Sequence, residues 1–131
     1  MSNLVDIDAQ APFDVWGSIV RARKIEGEQL TFAVVELAPN ATIPEHRHHQ
    51  EQLGMVITGS MRFRIDDEVR ELGPGGTWRI LSNHPHEATA GPDGAVVIDA
   101  FSPIRSDWNF EFLEPQPMAW PVRPAVAGGP S

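Results

Sequence analysis

The chain has 131 residues, and its 18 acidic and 10 basic side chains give it a formal net charge of −8. This length suits one domain with a real core, and the acidic balance excludes a nucleic-acid partner, which would need a basic face. The absence of cysteine excludes disulfides, thiolate metal sites and cysteine nucleophiles. Since there is no apolar signal segment and no run of the ~20 apolar residues of a membrane span, we expect a soluble, cytoplasmic protein with no membrane partner.

Short apolar or alternating segments follow one another along the chain, separated by Gly, Pro and Asn turns, and they predict about ten short strands. In chain order the clearest of them cover residues 17–25, 30–37, 53–58, 61–65, 69–72, 77–81, 87–90 and 95–101. The sequence GPDG at 91–94 predicts a tight turn between the last two. No window shows the 3.6-residue period of an amphipathic helix, so the pattern predicts an all-β sandwich or barrel.

The two ends of the chain are less regular. Residues 1–14 predict either a short edge strand or an arm exchanged between the subunits of a dimer. Residues 106–113 predict a turn of helix or a last strand, and the Pro-, Ala- and Gly-rich residues from 115 onward predict a loose surface tail. We expect a single domain over residues 1–131, with a barrel core at about 15–113 and a Pro/Gly-rich tail at 114–131.

All five histidines fall in two clusters, with His46, His48 and His49 in the first and His84 and His86 in the second. Side chains two residues apart on a strand point to the same side, so His46 and His48 direct two imidazoles into one space. Alone, this pair is equally compatible with a solvated polar loop, but clustering at two loop-to-strand junctions favours a metal site. Neutral imidazole is a common ligand of mid-row divalent metals, so we expect one divalent transition metal ion.

Two motifs in the sequence resemble those of the cupin family, whose fold is a double-stranded β-helix (jelly-roll) barrel. The first family motif is Gly, five residues, His-x-His, three or four residues, Glu, six residues and Gly; the second is Pro-Gly, a strand, then Pro and His. The corresponding residues here are Asn40, His46, His48, Gln52 and Gly59, then Pro74, Gly75, Pro85 and His86. The resemblance covers about residues 30 to 105. It implies a jelly-roll barrel and a homodimer, because family members commonly pair their barrels.

The cupin resemblance also implies a metal ion bound by His46, His48, Gln52 and His86. Gln52 stands where the family usually has Glu, so the ion would keep its full charge and would be a stronger Lewis acid toward an anionic ligand. This set does not match the 2-His-1-carboxylate pattern of Fe(II) oxygenases, and it suits Fe, Mn, Co, Ni, Zn or Cu. Alternatively Glu51 is the ligand, since only one of two adjacent strand residues can face the site. His49 and His84 have the wrong parity or spacing for ligands, and we expect them beside the site or on the surface.

Asp99 interrupts an otherwise apolar strand, where a buried carboxylate is unfavourable unless it is paired or has a function. Phe101 shares its face, and Arg105 follows just past Pro103. One interpretation is an Asp99–Arg105 ion pair that closes the barrel. The other is a catalytic carboxylate beside the metal, with an aromatic wall and an arginine that binds a substrate carboxylate.

The combination of His-x-His, Glu-Gln and Asp-x-Phe-x-x-x-Arg resembles one cupin group, the uronate-linearising enzymes of pectin and alginate breakdown. This resemblance implies conversion of cyclic 4,5-unsaturated monouronates into open-chain keto forms. Asp99 and Arg105 would act on the small anionic substrate, and Phe101 would shape the pocket. The alternatives are another metal-cupin enzyme, such as a dioxygenase, a small-acid lyase, an isomerase or a polyketide cyclase, and a non-catalytic binding or storage cupin.

Overall fold

Eight β-strands and one short 3-10 helix form the regular structure of residues 2–118 and 120–121, the part of the chain that the computed structural model describes. The helix is Ile7–Ala9, and the strands are β1 (Phe13–Asp14), β2 (Val20–Glu26), β3 (Thr31–Leu37), β4 (Thr42–His46), β5 (Glu51–Ile65), β6 (Glu68–Leu72), β7 (Thr77–Ile80) and β8 (His86–Ser102). These strands pair antiparallel, which confirms the all-β prediction. No helix within the described ranges is long and apolar enough to cross a membrane.

Strands β5 and β8, of 15 and 17 residues, run side by side and belong to both halves of the barrel. The first part of β5 pairs with β7, and the last part of β8 pairs with β3, which continues through β2 to β1. The last part of β5 pairs with β6, and the first part of β8 pairs with β4. Two sheets therefore share the β5–β8 pair and enclose the core between their inner faces. Residues 53–58 and 61–65, predicted as separate strands, are both parts of β5.

The tight turn predicted at residues 91–94 is wrong, because these residues lie within β8. Ala90 lies opposite Met61, whereas Ala95 lies opposite Gly59, so the segment forms a bulge against β5 and does not reverse the chain. The last glycine of the segment has a φ of 74°, in the left-handed region that glycine adopts readily. Pairing on both sides of the segment thus outweighs its local turn preference.

The two ends of the chain pack against the barrel. Strand β1 pairs with β2 of the same chain, so the N-terminal segment carries an edge strand, the first of the two predicted alternatives. Residues 106–113 form neither a helix nor a strand, which contradicts both predictions for that segment. At the start of the predicted tail, the carbonyl of Gln116 accepts a hydrogen bond from buried Arg23 at 2.7 Å. Residues 119 and 122–131 of that tail lie outside the described residues.

Candidate metal centre and active site

Three histidines from two separate parts of the sequence come together in the fold. His46 is the last residue of β4, His86 is the first residue of β8, and the two lie opposite each other in the register. His48 follows in the loop between β4 and β5. The ring centroids are 4.2, 4.9 and 5.6 Å apart. One nitrogen from each ring lies within 4.8 Å of the other two, so the three could hold a metal ion.

Backbone hydrogen bonds determine which nitrogen of each ring is free. Nδ1 lies 2.9 Å from a main-chain carbonyl oxygen in all three rings, and the pairs are His46 with Pro44, His48 with Gln50, and His86 with His84. A carbonyl oxygen can only accept, so each Nδ1 carries the proton and each neutral ring keeps its lone pair on Nε2. Nε2 of His86 is buried and has no hydrogen-bond partner within the described part of the chain. A buried lone pair beside two others fits a bound metal cation.

Gln52 brings an amide oxygen to this cluster. Its side chain is 7% exposed, whereas the adjacent Glu51 is exposed. Nε2 of Gln52 donates to Asp99 at 2.8 Å, which leaves its Oε1 facing Nε2 of His48 at 3.1 Å. Because both of these facing atoms carry lone pairs, the contact is favourable only with a proton or a metal ion between them. Burial lowers the pKa of His48, which disfavours the proton.

The clustered histidines have lowered pKa values. Burial is the largest cause for each ring, and the positive charge of Arg105 acts in the same direction. For His86, the charges of the other two histidines add to these effects, and its pKa falls to about 4. The three rings are therefore neutral at pH 7, which is the form of imidazole that binds a metal.

Asp99 lies beside Gln52 with only 7% of its surface exposed. Its Oδ1 accepts two hydrogen bonds of 2.8 Å, one from Nε2 of Gln52 and one from Nε1 of Trp78. Burial raises the pKa of Asp99 to about 6, and the two hydrogen bonds and the charge of Arg105 oppose this rise. A carboxyl group with this pKa can gain or lose a proton near neutral pH, as an acid–base catalyst must.

Arg105 is held in place by an ion pair and by aromatic rings. Its Nε and Nη2 donate to the carboxylate of Asp107 at 3.1 and 2.9 Å. The guanidinium carbon lies 4.7 Å from the ring centre of Phe101 and 4.5 Å from that of Trp108. Within the described residues no ion pair or hydrogen bond joins Arg105 to Asp99, so the structural ion pair that the sequence also allowed is absent.

One pocket brings most of these side chains together. Its lining includes Trp16, His46, Gln52, His86, Asp99, Phe101 and Arg105. The ring of Trp16 lies 5.0 Å from that of His46 and adds an aromatic wall that the sequence did not indicate. The pocket therefore combines neutral imidazoles, a carboxyl with a raised pKa and a guanidinium, which suits chemistry on a small anionic molecule.

The remaining two histidines are on the surface. His49 and His84 are exposed, and Nδ1 of His84 lies 2.7 Å from the carboxylate of Asp66. His84 contributes to the cluster only through its main-chain carbonyl, which accepts the hydrogen bond from His86.

Several residues near the site were missed by the sequence analysis. Trp78 could have been found, because β7 alternates between inner and outer positions and Trp78 has inward parity. Asp107 and Trp108 lie in an irregular segment, where no periodicity indicates side-chain direction. Gln50 is fully buried, and its Nε2 donates to the carbonyl of Ile104 and to Asp107, at 3.2 Å each. It thereby connects the start of β5 to the loop that carries Arg105.

Comparison with known proteins identifies the family and the fold. Residues 33–101 match the family model described as a cupin domain. The chain is 30% identical over 104 residues to the pectin degradation protein KdgF of Dickeya dadantii (strain 3937), an alignment that covers 78% of this chain and 94% of that protein. It also resembles the structure of KdgF from Halomonas sp., with a TM-score of 0.74, 25% identity and coverage of 82% of this chain and 98% of that one.

A further likeness concerns the fold alone. An RmlC-like cupin from Shewanella frigidimarina NCIMB 400 matches with a TM-score of 0.76 and 21% identity, over 82% of this chain and 96% of that one. The jelly-roll barrel and the resemblance to cupins of pectin breakdown that the sequence motifs indicated are thus both confirmed. This chain belongs to the cupin family.

Proposed function

We propose that this cupin is a metal-dependent enzyme that converts cyclic 4,5-unsaturated uronates into linear keto forms. Its likeness to the pectin degradation protein KdgF supports a role in pectin breakdown. The observation that carries the proposal is that a titratable carboxyl, Asp99, and a guanidinium, Arg105, share one pocket with two members of the histidine cluster, His46 and His86.

The metal ligands in this proposal are His46, His48, His86 and Gln52. Support comes from the converging lone pairs on the three Nε2 atoms and on Oε1 of Gln52, including the buried Nε2 of His86 that lacks a donor. A divalent ion bound there would supply Lewis-acid polarisation of substrate oxygen atoms, and four neutral ligands would leave it its full charge. The ligand set suits Fe, Mn, Co, Ni, Zn or Cu.

Arg105 binds the carboxylate of the substrate. Nε and Nη2 are held by Asp107, while Nη1 has no hydrogen-bond partner among the described residues. The rings of Phe101 and Trp108 restrict the plane of the guanidinium. An arginine oriented before the substrate arrives loses little side-chain entropy on binding, and Nη1 is available to the incoming anion.

Asp99 moves protons in the reaction, which is an isomerisation. The C1–O5 bond of the ring breaks as a proton leaves the anomeric hydroxyl group, and C4 gains a proton as the enol at C5 becomes a ketone. No atom is gained or lost overall. With a pKa of about 6, Asp99 can accept a proton as a carboxylate and return one as a carboxylic acid. The aromatic side chains of Trp16 and Phe101 line the pocket around it, and apolar walls of this kind favour the exclusion of water when a substrate binds.

The test uses freshly prepared 4,5-unsaturated galacturonate and follows the ultraviolet absorbance of its C4–C5 double bond. We expect the metal-loaded protein to accelerate the loss of absorbance over a no-enzyme control. The acceleration disappears with a chelator and in Asp99→Asn, and it is unchanged in His49→Ala, which alters an exposed histidine beside the cluster. No acceleration with any of the six candidate metals would overturn the proposal and favour a different cupin activity. Substrate binding without turnover would indicate a binding or storage cupin.

A further inference from the structure

Three residues on neighbouring strands line up at the side of the pocket that carries Asp99. Gly54 on β5 lies opposite Asp99 on β8 and, on its other side, opposite Trp78 on β7. Side chains at directly opposed positions of antiparallel strands project from the same face of a sheet. Because the middle position has no side chain, the indole of Trp78 can extend across β5 and donate to Oδ1 of Asp99 at 2.8 Å.

The space above Gly54 is fully occupied by this hydrogen bond. A Cβ atom added at Gly54 would lie 2.1 Å from Nε1 of Trp78 and 2.3 Å from Oδ1 of Asp99, the donor and acceptor atoms themselves. Gly54 is not in the left-handed backbone region, so backbone conformation does not require glycine there. The requirement comes from the hydrogen bond that crosses it.

We propose that Trp78 is a positioning residue for Asp99: with Gln52 it occupies Oδ1, so that Oδ2 is the oxygen that exchanges a proton with the substrate. The catalytic half of this inference rests on the proposed function. Oδ1 receives two N–H donors at 2.8 Å, whereas Oδ2 receives none from the described residues, and Asp99 lines the pocket. Two donors on one oxygen prevent rotation of the carboxyl group and occupy the lone pairs of that oxygen. The free oxygen is then held in one orientation before the substrate binds, and such preorganisation favours proton transfer.

The burial of Trp78 supports a fixed donor. Only 5% of its surface is exposed, and the ring of Phe63 stacks on it with centroids 4.5 Å apart and planes at 28°. An indole N–H that cannot reach water must find an acceptor within the protein, and Asp99 is that acceptor.

Two variants break this hydrogen bond from different sides. Trp78→Phe keeps an aromatic ring and removes the donor, whereas Gly54→Ala keeps the donor and inserts a methyl group between donor and acceptor. We expect kcat to fall about tenfold to a hundredfold in both, as for the loss of a hydrogen bond to a charged group, with KM little changed.

The control for the glycine variant is Gly91→Ala, whose methyl group would meet Oγ of Ser60 at 2.0 Å, away from the pocket. The control for the tryptophan variant is Leu72→Val, which shortens a buried side chain on β6, outside the pocket lining. Both controls should keep kcat.

A second readout does not depend on activity. The chain has four tryptophans, so the metal-free protein labelled with ¹⁵N should show four indole N–H resonances, and the one lost in Trp78→Phe is that of Trp78. We expect this resonance to exchange slowly with solvent. It should move upfield in Asp99→Asn, because an amide oxygen is a weaker acceptor than a carboxylate, and it should also move in Gly54→Ala but not in Gly91→Ala.

The outcomes separate this inference from the proposed function. A Trp78 resonance that is unmoved by Asp99→Asn would overturn the inference, whatever the enzyme does. A resonance that moves as expected, with wild-type kcat in Trp78→Phe or Gly54→Ala, would overturn the positioning role. An inactive wild-type protein whose resonance still moves as expected would overturn the proposed function and support the hydrogen bond to Oδ1.

Discussion

Replacing Asp99 by Asn should make the metal-free protein more stable at neutral pH while it abolishes turnover. The Asp99 carboxyl is buried, and the charged form of a buried carboxyl is disfavoured relative to water. Both donors that contact Asp99 bond the same oxygen, Oδ1, so the single oxygen of Asn can accept both. Asn therefore removes the buried charge without removing the hydrogen bonds.

The size of this effect follows from the raised pKa. The pKa of Asp99 rises from 3.8 to about 6, and each pKa unit corresponds to about 1.4 kcal/mol, so ionisation reduces the unfolding free energy by on the order of 3 kcal/mol at pH 7. The new amide NH₂ takes the place of Oδ2 and lacks an acceptor in the pocket, which removes part of this gain. We expect a net stabilisation of about 1–3 kcal/mol.

The sign of the pH dependence distinguishes the contribution of Asp99 to stability from that of the clustered histidines. Because the pKa of Asp99 is higher in the folded state than in the unfolded state, its contribution to stability is full below pH 3.8 and is lost as the pH rises through about 6. The clustered histidines have lowered pKa values, so their contribution is present above pH 6.5 and is lost as the pH falls. The histidines are common to both proteins, so the difference between wild type and Asp99→Asn reports on Asp99.

The assay is urea denaturation of both proteins with a chelator present, at about pH 4 and about pH 7.5. We expect the variant to have the higher unfolding free energy at the upper pH and the two proteins to converge at the lower one. A variant that is equally or less stable at the upper pH would refute the reasoning. A stability difference that is the same at both pH values would show that the ionisation of Asp99 does not cause it.

Three further predictions concern the metal and the substrate. His48→Ala should abolish zinc or nickel binding measured by calorimetry, because it removes one of the converging Nε2 atoms, whereas the exposed neighbour variant His49→Ala should bind normally. Metal affinity should fall much less between pH 7.5 and 5.5 than the roughly thousandfold expected for three histidines of ordinary pKa, because the lowered pKa values keep the rings neutral. Arg105→Lys should raise KM for the uronate about tenfold or more with a smaller change in kcat, since lysine lacks the planar fork and the ring stacking. The same change at Arg79, an exposed residue of β7, should alter neither constant.

Each of these predictions has a result that contradicts it. Full metal binding by His48→Ala would remove that residue from the ligand set. A thousandfold loss of affinity over the pH interval would mean that the rings titrate as they do in water. A fall in kcat at unchanged KM in Arg105→Lys would assign the guanidinium to the chemical step and not to binding of the carboxylate.

Much of the barrel could be predicted because side chains along its strands alternate between apolar and polar with a period of two residues. Asn40 shows that a single residue can predict the local backbone conformation. It stands at a family Gly position, and its φ is 60°, in the left-handed region that Asn tolerates. The segment at 91–94 shows the limit, because GPDG has strong turn chemistry but becomes a bulge within a paired strand. The expected homodimer stays a prediction, which a mass measurement in solution can test.

By itself the sequence determined the class of the protein and the residues that could carry its chemistry. Two properties of the linear chain allowed a metal site with a nearby carboxyl to be inferred. They are the spacing of the histidines at 46, 48 and 86 and the presence of Asp99 in an otherwise apolar strand. The tertiary structure decided which atoms meet. Cross-strand register turns Gln52 inward and Glu51 outward, and it brings a tryptophan from β7 onto the carboxyl oxygen in β8. Packing of an irregular loop pairs Arg105 with Asp107 and not with the acid in β8, because that contact depends on the path of the loop, which has no sequence period.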